Sequence, residues 1–324
     1  MLTAQDLHGI MAMMPAFATA NAADINARNT VDVVNLKAGV DRIIRDGIDV
    51  ISTTGSFGEF HTLLDDEWQT LVRATIEAVD RRVPLFIGCT ALNSRAVVER
   101  MRFARDAGAE GVLIGVPFYF PSTVDNAVRF FHDVADLFPD LGIMIYHNPP
   151  LHRVTLPVAA FKRLTEKRNI IGMKDSHRDT VQFMKLQQLI RGKITQFVNT
   201  MQYHPYASLG APGFWSFDCW MGPWPILALR EAITRGDTAA AEEITLDLTS
   251  TSIAGGPPAG LDWRETAAKI AIANAGYVDP GPLRPPFVEI PANVRSNAEA
   301  YAAHWQRLCE KYRPRVGAVA LATA

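Results

Sequence analysis

Eight short apolar runs, recurring roughly every 30 residues, constrain this chain more than any other feature. They are "GIMAMMPAF" (9–17), "IDVISTTG" (48–55), "VPLFIGC" (83–89), "GVLIGVPF" (111–118), "LGIMIYH" (141–147), "NIIGMKD" (169–175), "KITQFVNT" (193–200) and "APGFWSF" (211–217). Each is near-continuous rather than alternating, the pattern of parallel strands covered on both faces. Amphipathic segments separate them, such as "VDVVNLKAGVDRIIRDG" (31–47), "DDEWQTLVRATIEAVDRR" (65–82) and "VDNAVRFFHDVADLFPD" (124–140). Eight strand–helix units of this length predict an α/β fold, a (β/α)8 TIM barrel over residues 1–222. Further helices are expected at 223–235, 237–252, 262–275 and 296–311, with the Gly/Pro-rich patches "AGGPPAG" (254–260) and "DPGPLRPP" (279–286) between them. Residues 223–324 therefore read as a C-terminal helical extension packed on the barrel.

A chain of 324 residues, 48% hydrophobic, can bury a sizeable core, and a formal net charge of -2 argues against nucleic acid or another polyanion as partner. Cys89, Cys219 and Cys309 are far apart and match no CxxC or Cys/His spacing, so neither a disulfide framework nor a zinc site is expected. The N-terminal residues lack a basic n-region, and no stretch approaches about 18 uninterrupted apolar residues. The expectation is a cytoplasmic protein without a signal peptide or membrane span.

The stretch "NIIGMKDSHRDT" (169–180) ends an apolar strand on Lys174. Taken alone, Lys174 is the first solvated residue after a strand. In a barrel of this kind, however, the C-terminal strand ends carry the active site. Burial disfavours the charged form of an amine, and the neutral form is a nucleophile that condenses with ketones. Tyr146 ends the fifth expected strand in "IMIYHNPP", where a phenol can shuttle protons or simply fill the core. After the second run, "STTGSFGE" offers backbone N–H groups and hydroxyls to a small carboxylate, although such a turn is more often only a turn.

These residues carry a resemblance. Over essentially its whole length the chain resembles the pyruvate-dependent class I aldolase superfamily of dihydrodipicolinate synthase and N-acetylneuraminate lyase. The matching pieces are "GSFGEFHTL", "VPFYF", "YHNPP" with Tyr146 and "GMKDS" with Lys174. Leu151 stands where dihydrodipicolinate synthases carry an arginine for their second substrate, and Phe57 replaces the second loop threonine. The patterns "GSFGE", "FWS" and "GPLRPP" are similar instead to the hydratase-aldolases of bacterial aromatic-hydrocarbon degradation. What the resemblance implies is Lys174 for the Schiff base, Tyr146 for proton transfer, and Ser56 with the amide of Phe57 for the pyruvoyl carboxylate. It also implies Asn148 and Trp215 shaping the pocket, no cofactor beyond the covalent lysine, no metal, and a homo-oligomer, a tetramer built from dimers. Tyr119 resembles a tyrosine that crosses a dimer into the neighbouring site, with plain packing an equal reading. His147, His177 and Arg178 are expected at a solvated surface, with contact to a polar ring substituent as the alternative.

The implied reaction hydrates and cleaves a trans-o-substituted benzylidenepyruvate, o-hydroxy or o-carboxy, to an aromatic aldehyde and pyruvate. Two alternatives stand beside it: a 2-keto-3-deoxy sugar-acid aldolase, which would want a polar distal pocket, and a non-catalytic barrel that binds an oxo acid.

Overall fold

A computed structural model describes residues 1–175, 177–250 and 263–317. Its eight strands close into one barrel in sequence order: β1 (Gly9–Met13), β2 (Val50–Ser52), β3 (Leu85–Gly88), β4 (Gly111–Ile114), β5 (Gly142–Tyr146), β6 (Ile170–Lys174), β7 (Thr195–Asn199) and β8 (Gly213–Ser216). Each strand lies inside one of the eight apolar runs, so the fold class is the one the period predicts. The pairings from β2 to β8 are parallel, and almost every strand residue is buried, which is why the runs need no alternation.

Helices fill the intervals: α1 (Val33–Arg45), α2 (Asp65–Val79), α3 (Ser94–Asp106), α4 (Val124–Leu137), the short α5 (Pro149–His152) and α6 (Phe161–Leu164), α7 (Thr180–Ile190) and α8 (Thr200–Ala207). Four more follow: α9 (Trp224–Thr234), α10 (Thr238–Thr249), α11 (Arg264–Ala275) and α12 (Ala292–Tyr312). The last begins a turn earlier than its pattern suggests, directly after the extended Pro291. The patch at 254–260 lies outside the described residues. Among the described residues no helix is long and apolar enough to cross a membrane.

The chain packs as two compact units. The first comprises Met1–Met11, Asp49–Gly55 and Asp80–Trp215. Its helices start where side chains cap them: Asn93, Thr123 and Asp179 accept the backbone N–H three residues on, at 2.9, 3.1 and 2.8 Å. α4 buries Ala127, Val128, Phe131 and Val134, one stripe at helical spacing. Close approach demands glycine at Gly88, where a Cβ would meet Thr54 O at 2.4 Å. The Thr54 hydroxyl donates to Gly88 O at 2.9 Å, fixing how the chain leaves β2.

The second unit comprises Ala12–Ile48, Ser56–Val79 and Ser216–Ala324. Its organising feature is the "GPLRPP" arginine. Arg284 is buried and donates to Thr30 Oγ1, Ala16 O, Phe17 O and Thr30 O at 3.0, 3.0, 3.1 and 2.7 Å, and to Glu59 Oε2 at 3.1 Å. Lys269, on α11, reaches the same Glu59 oxygen at 2.6 Å and Pro282 O at 2.7 Å. Burial pulls the Lys269 amine down to about 8, with Glu59 opposing the shift.

Candidate active site

Lys174 is the last residue of β6, and the register against β5 sets it level with Tyr146. The lysine is 6% exposed. Its Nζ lies 3.9 Å from the centroid of the Trp215 ring and 4.6 Å from that of Tyr146. Trp215 is held in place by its indole N–H, which donates to Asp175 O at 3.0 Å. Asn148 Nδ2 donates to the Tyr146 phenol oxygen at 3.4 Å. Two residues singled out in the sequence, Trp215 and Tyr146, thus flank the buried amine of a third, Lys174, and a fourth, Asn148, bonds the Tyr146 hydroxyl.

Sequence reasoning missed His152. Its ring meets Tyr146 edge-on, centroids 4.8 Å apart, and packs so tightly on Gly115 that a Cβ there would lie 2.3 Å from it. Burial, reinforced by the charge of Lys174, pulls the imidazole down to about 4, so it is neutral near pH 7. Its Nδ1 has no hydrogen-bond partner among the described residues. Nothing in "PPLHRV" distinguishes this histidine from a loop residue; only the tertiary packing does.

His147 and Arg178 correct the expectation of a solvated surface: both are buried, at 3% and 2% exposure, around Asp175 at 1%. Asp175 Oδ1 accepts from His147 Nδ1 at 3.0 Å and His177 Nδ1 at 3.1 Å. Oδ2 accepts from Gln196 Nε2 at 3.0 Å and pairs with the Arg178 guanidinium at 2.7 Å. Burial alone would raise the Asp175 carboxyl, but these hydrogen bonds and the Arg178 charge reverse the shift and hold it well below the usual carboxylate range. Only His177 is partly open to solvent.

His147, Asp175 and His177 bring one ligand atom each within 4.8 Å of one another, yet the hydrogen bonding does not suit a metal. Leu156 N–H donates to His147 Nε2 at 3.0 Å. That nitrogen therefore carries the lone pair, and Nδ1 carries the proton given to Asp175. Burial lowers the His147 imidazole, with Asp175 opposing the shift. A cation would have to break both bonds.

The loop after Gly55 belongs to the second unit. Ser56 is buried, and its hydroxyl donates to Glu265 Oε1 on α11. Phe57 stacks on Phe217 with centroids 5.2 Å apart. Glu59 takes a left-handed conformation, φ 52°, a strain its bonds to Lys269 and Arg284 offset. Tyr119 stands apart: it is 69% exposed beside the exposed Phe120, and its carbonyl accepts from Arg153 Nη1 at 2.8 Å. Leu151 is also exposed.

A buried lysine at a barrel strand end is how class I aldolases hold their imine-forming amine. This chain is an enzyme of that class, a carbon–carbon lyase of the class I pyruvate aldolase type. More particularly, it belongs to the dihydrodipicolinate synthetase family, whose model matches residues 13–304. It is 30% identical to a trans-o-hydroxybenzylidenepyruvate hydratase-aldolase of Pseudomonas aeruginosa over 322 residues, covering 96% of each chain. It is 26% identical to a trans-2'-carboxybenzalpyruvate hydratase-aldolase of Nocardioides sp. (strain KP7), again covering 96% of each. Among solved structures, one described as PhdJ bound to substrate intermediate superposes with a TM-score of 0.91 at 26% identity, covering 96% of this chain and 99% of that one.

Proposed function

We propose that this enzyme is a hydratase-aldolase that adds water to a trans-o-substituted benzylidenepyruvate and cleaves the product to an aromatic aldehyde and pyruvate. The observation that carries the reading is the buried Lys174 amine between the faces of Trp215 and Tyr146. The named reactions of the full-length relatives support the substrate class.

The chemistry follows from that placement. Lys174 Nζ adds to the C2 ketone, water leaves, and the resulting iminium carries a positive charge that the two aromatic faces favour. Conjugation makes C4 electrophilic; water adds there, and C3 takes up a proton. Loss of the proton from the new C4 hydroxyl then breaks C3–C4. The bonding pair moves to the iminium nitrogen, the aldehyde departs, and an enamine remains. Protonation at C3 and hydrolysis release pyruvate and restore the amine. Tyr146 is assigned the proton transfers, its phenol oxygen held by Asn148. Ser56 and the Phe57 amide are assigned the pyruvoyl carboxylate, and Trp215 and Phe57 the aryl group. This route requires no metal or organic cofactor. The exposed Tyr119–Phe120 pair suits burial against a second copy of the chain, in keeping with a tetramer built from dimers in the cytoplasm.

The test follows loss of enone absorbance for the o-hydroxy, o-carboxy and unsubstituted benzylidenepyruvates, beside pyruvate release from 2-keto-3-deoxygluconate. Each well-filled apolar contact is worth about 1–3 kcal/mol of discrimination, so the aryl enones should be consumed far faster. Robust activity on the sugar acid with none on the enones would overturn the substrate class and leave the Schiff-base lysine in place.

A further inference from the structure

The turn that follows β5 meets Tyr146 twice. Asn148 bonds the phenol oxygen, and the imidazole of His152 lies against the ring of the same tyrosine. α5 keeps the two contacts at a fixed spacing. Pro149 and Pro150 open it with φ already set for a helix, and the N–H groups of Leu151 and His152 return to Asn148 O at 3.1 and 2.8 Å. Arg153 then stops it in a left-handed conformation, φ 54°, with its N–H bonded to Pro149 O at 2.8 Å.

The imidazole is enclosed. It is buried, its plane stands at 82° to the Tyr146 ring, and the Phe118 ring lies 6.4 Å away between centroids. Its Nε2–Cε1 edge runs against Gly115, whose own N–H donates to Thr90 Oγ1 at 2.9 Å. A close-packed ring of this kind helps set the plane of the ring it touches. Proton transfer depends on that plane, because donor and acceptor must stay within hydrogen-bond reach, and a misplacement of about 1 Å can cost 10²-fold.

We infer that His152 is a positioning residue for Tyr146: wedged between Gly115 and the phenol ring, it holds the hydroxyl where protons are passed without itself exchanging one with the substrate. The inference rests on the assignment of the proton transfers to Tyr146 and goes beyond it in naming the side chain that makes the phenol effective. Burial and the Lys174 charge keep the imidazole neutral near pH 7, so the wedge brings no second cation toward the amine that becomes the iminium.

The experiment needs only pyruvate. Its iminium on Lys174 loses a methyl proton to give the enamine, which in D2O takes up a deuteron at C3, so the methyl signal in NMR reads proton transfer apart from any aryl substrate. The parent, His152→Met, Gly115→Ala, Tyr146→Phe and the His152→Met/Tyr146→Phe double variant are compared, each rate being expressed per Lys174 trapped by borohydride. Met replaces the imidazole with a flexible chain that imposes no plane. His152→Met should lower the maximal exchange rate about 10- to 100-fold and leave the half-saturating pyruvate concentration within about twofold of the parent. Gly115→Ala keeps both rings but takes the space of the imidazole edge, and should lose exchange in the same way. In the Tyr146→Phe background, His152→Met should change the rate by less than about threefold, because the group it positions is gone. A full further loss there would make His152 a proton carrier in its own right, and an exchange rate within about twofold of the parent in His152→Met would make it filler. Either overturns the inference while the reading of Tyr146 stands. Failure of His152→Met to trap pyruvate at all would do the same, since the histidine would then serve the fold. If the parent forms no imine, or exchanges no faster than Tyr146→Phe, the assignment of Lys174 or of Tyr146 fails and this inference fails with it.

Discussion

Asp175→Asn should cost about 3–5 kcal/mol of stability, the usual result of removing one side of a buried charge pair. The structure shows why so conservative a change is expensive. The carboxylate satisfies three hydrogen bonds, from His147, His177 and Gln196, and pairs with Arg178. An amide of the same shape keeps one acceptor oxygen and turns an NH2 group toward donors. His147 cannot compensate by exchanging tautomers, because Leu156 N–H occupies its Nε2. Arg178 would be left as a buried cation, held by the Leu156 carbonyl at 2.8 Å and the face of Phe161 at 5.3 Å. With an unfolding entropy of about 2.1 cal/mol/K per residue, that loss lowers Tm by about 4–8 °C in a chain of this length. Scanning calorimetry of parent and variant at pH 7 reads it directly. A drop of less than about 1 °C would refute the view of Asp175 as a saturated buried hub.

Tyr146→Phe should lower kcat by roughly 10² to 10⁴ while melting with the parent; a change under about threefold would reduce Tyr146 to packing. Arg284→Lys should destabilise by about 3–5 kcal/mol despite keeping the charge, since an ammonium cannot reproduce the forked contacts to Thr30, Ala16, Phe17 and Glu59; a denaturant midpoint equal to the parent's would contradict this. Asp218 supplies a pH test: burial pushes its carboxyl up to about 6, against hydrogen bonds from Tyr301 and Ser216. The folded state therefore holds that proton more tightly than the unfolded chain. Its contribution is complete below the unfolded value near 4 and is lost as pH rises through 6. Asp218→Asn, which never ionises, should gain stability over the parent by about 2–3 kcal/mol at pH 8 and nothing at pH 4. A difference independent of pH would count against it.

The barrel was legible because parallel strands buried on both faces cannot hide their apolar runs, and the intervals between runs left room for only one kind of connection. That Lys174 and Tyr146 stand at strand ends was legible from position, each being the last residue but one of its apolar run. The surroundings were not. "DSHRD" has the composition of a solvated turn, yet Asp175 and Arg178 are buried because each answers the other's charge, and His147 because Leu156 and Asp175 take up its two nitrogens. His152 and Glu265 carry no local signal at all: one is fixed by contact with Gly115 and Tyr146, the other by a hydroxyl 209 residues away in sequence. Arg284 was visible only as part of the "GPLRPP" pattern, and the reason for the pattern emerges from the carbonyls it gathers.

The most direct measurement of the central claim is reductive trapping. The protein is incubated with pyruvate, reduced with borohydride, digested and weighed peptide by peptide. The account predicts one carboxyethyl group on the peptide containing Lys174, and none in Lys174→Ala, which should also lose turnover. An unmodified Lys174 in a protein that still cleaves its substrate, or turnover near the parent rate in Lys174→Ala, would contradict it.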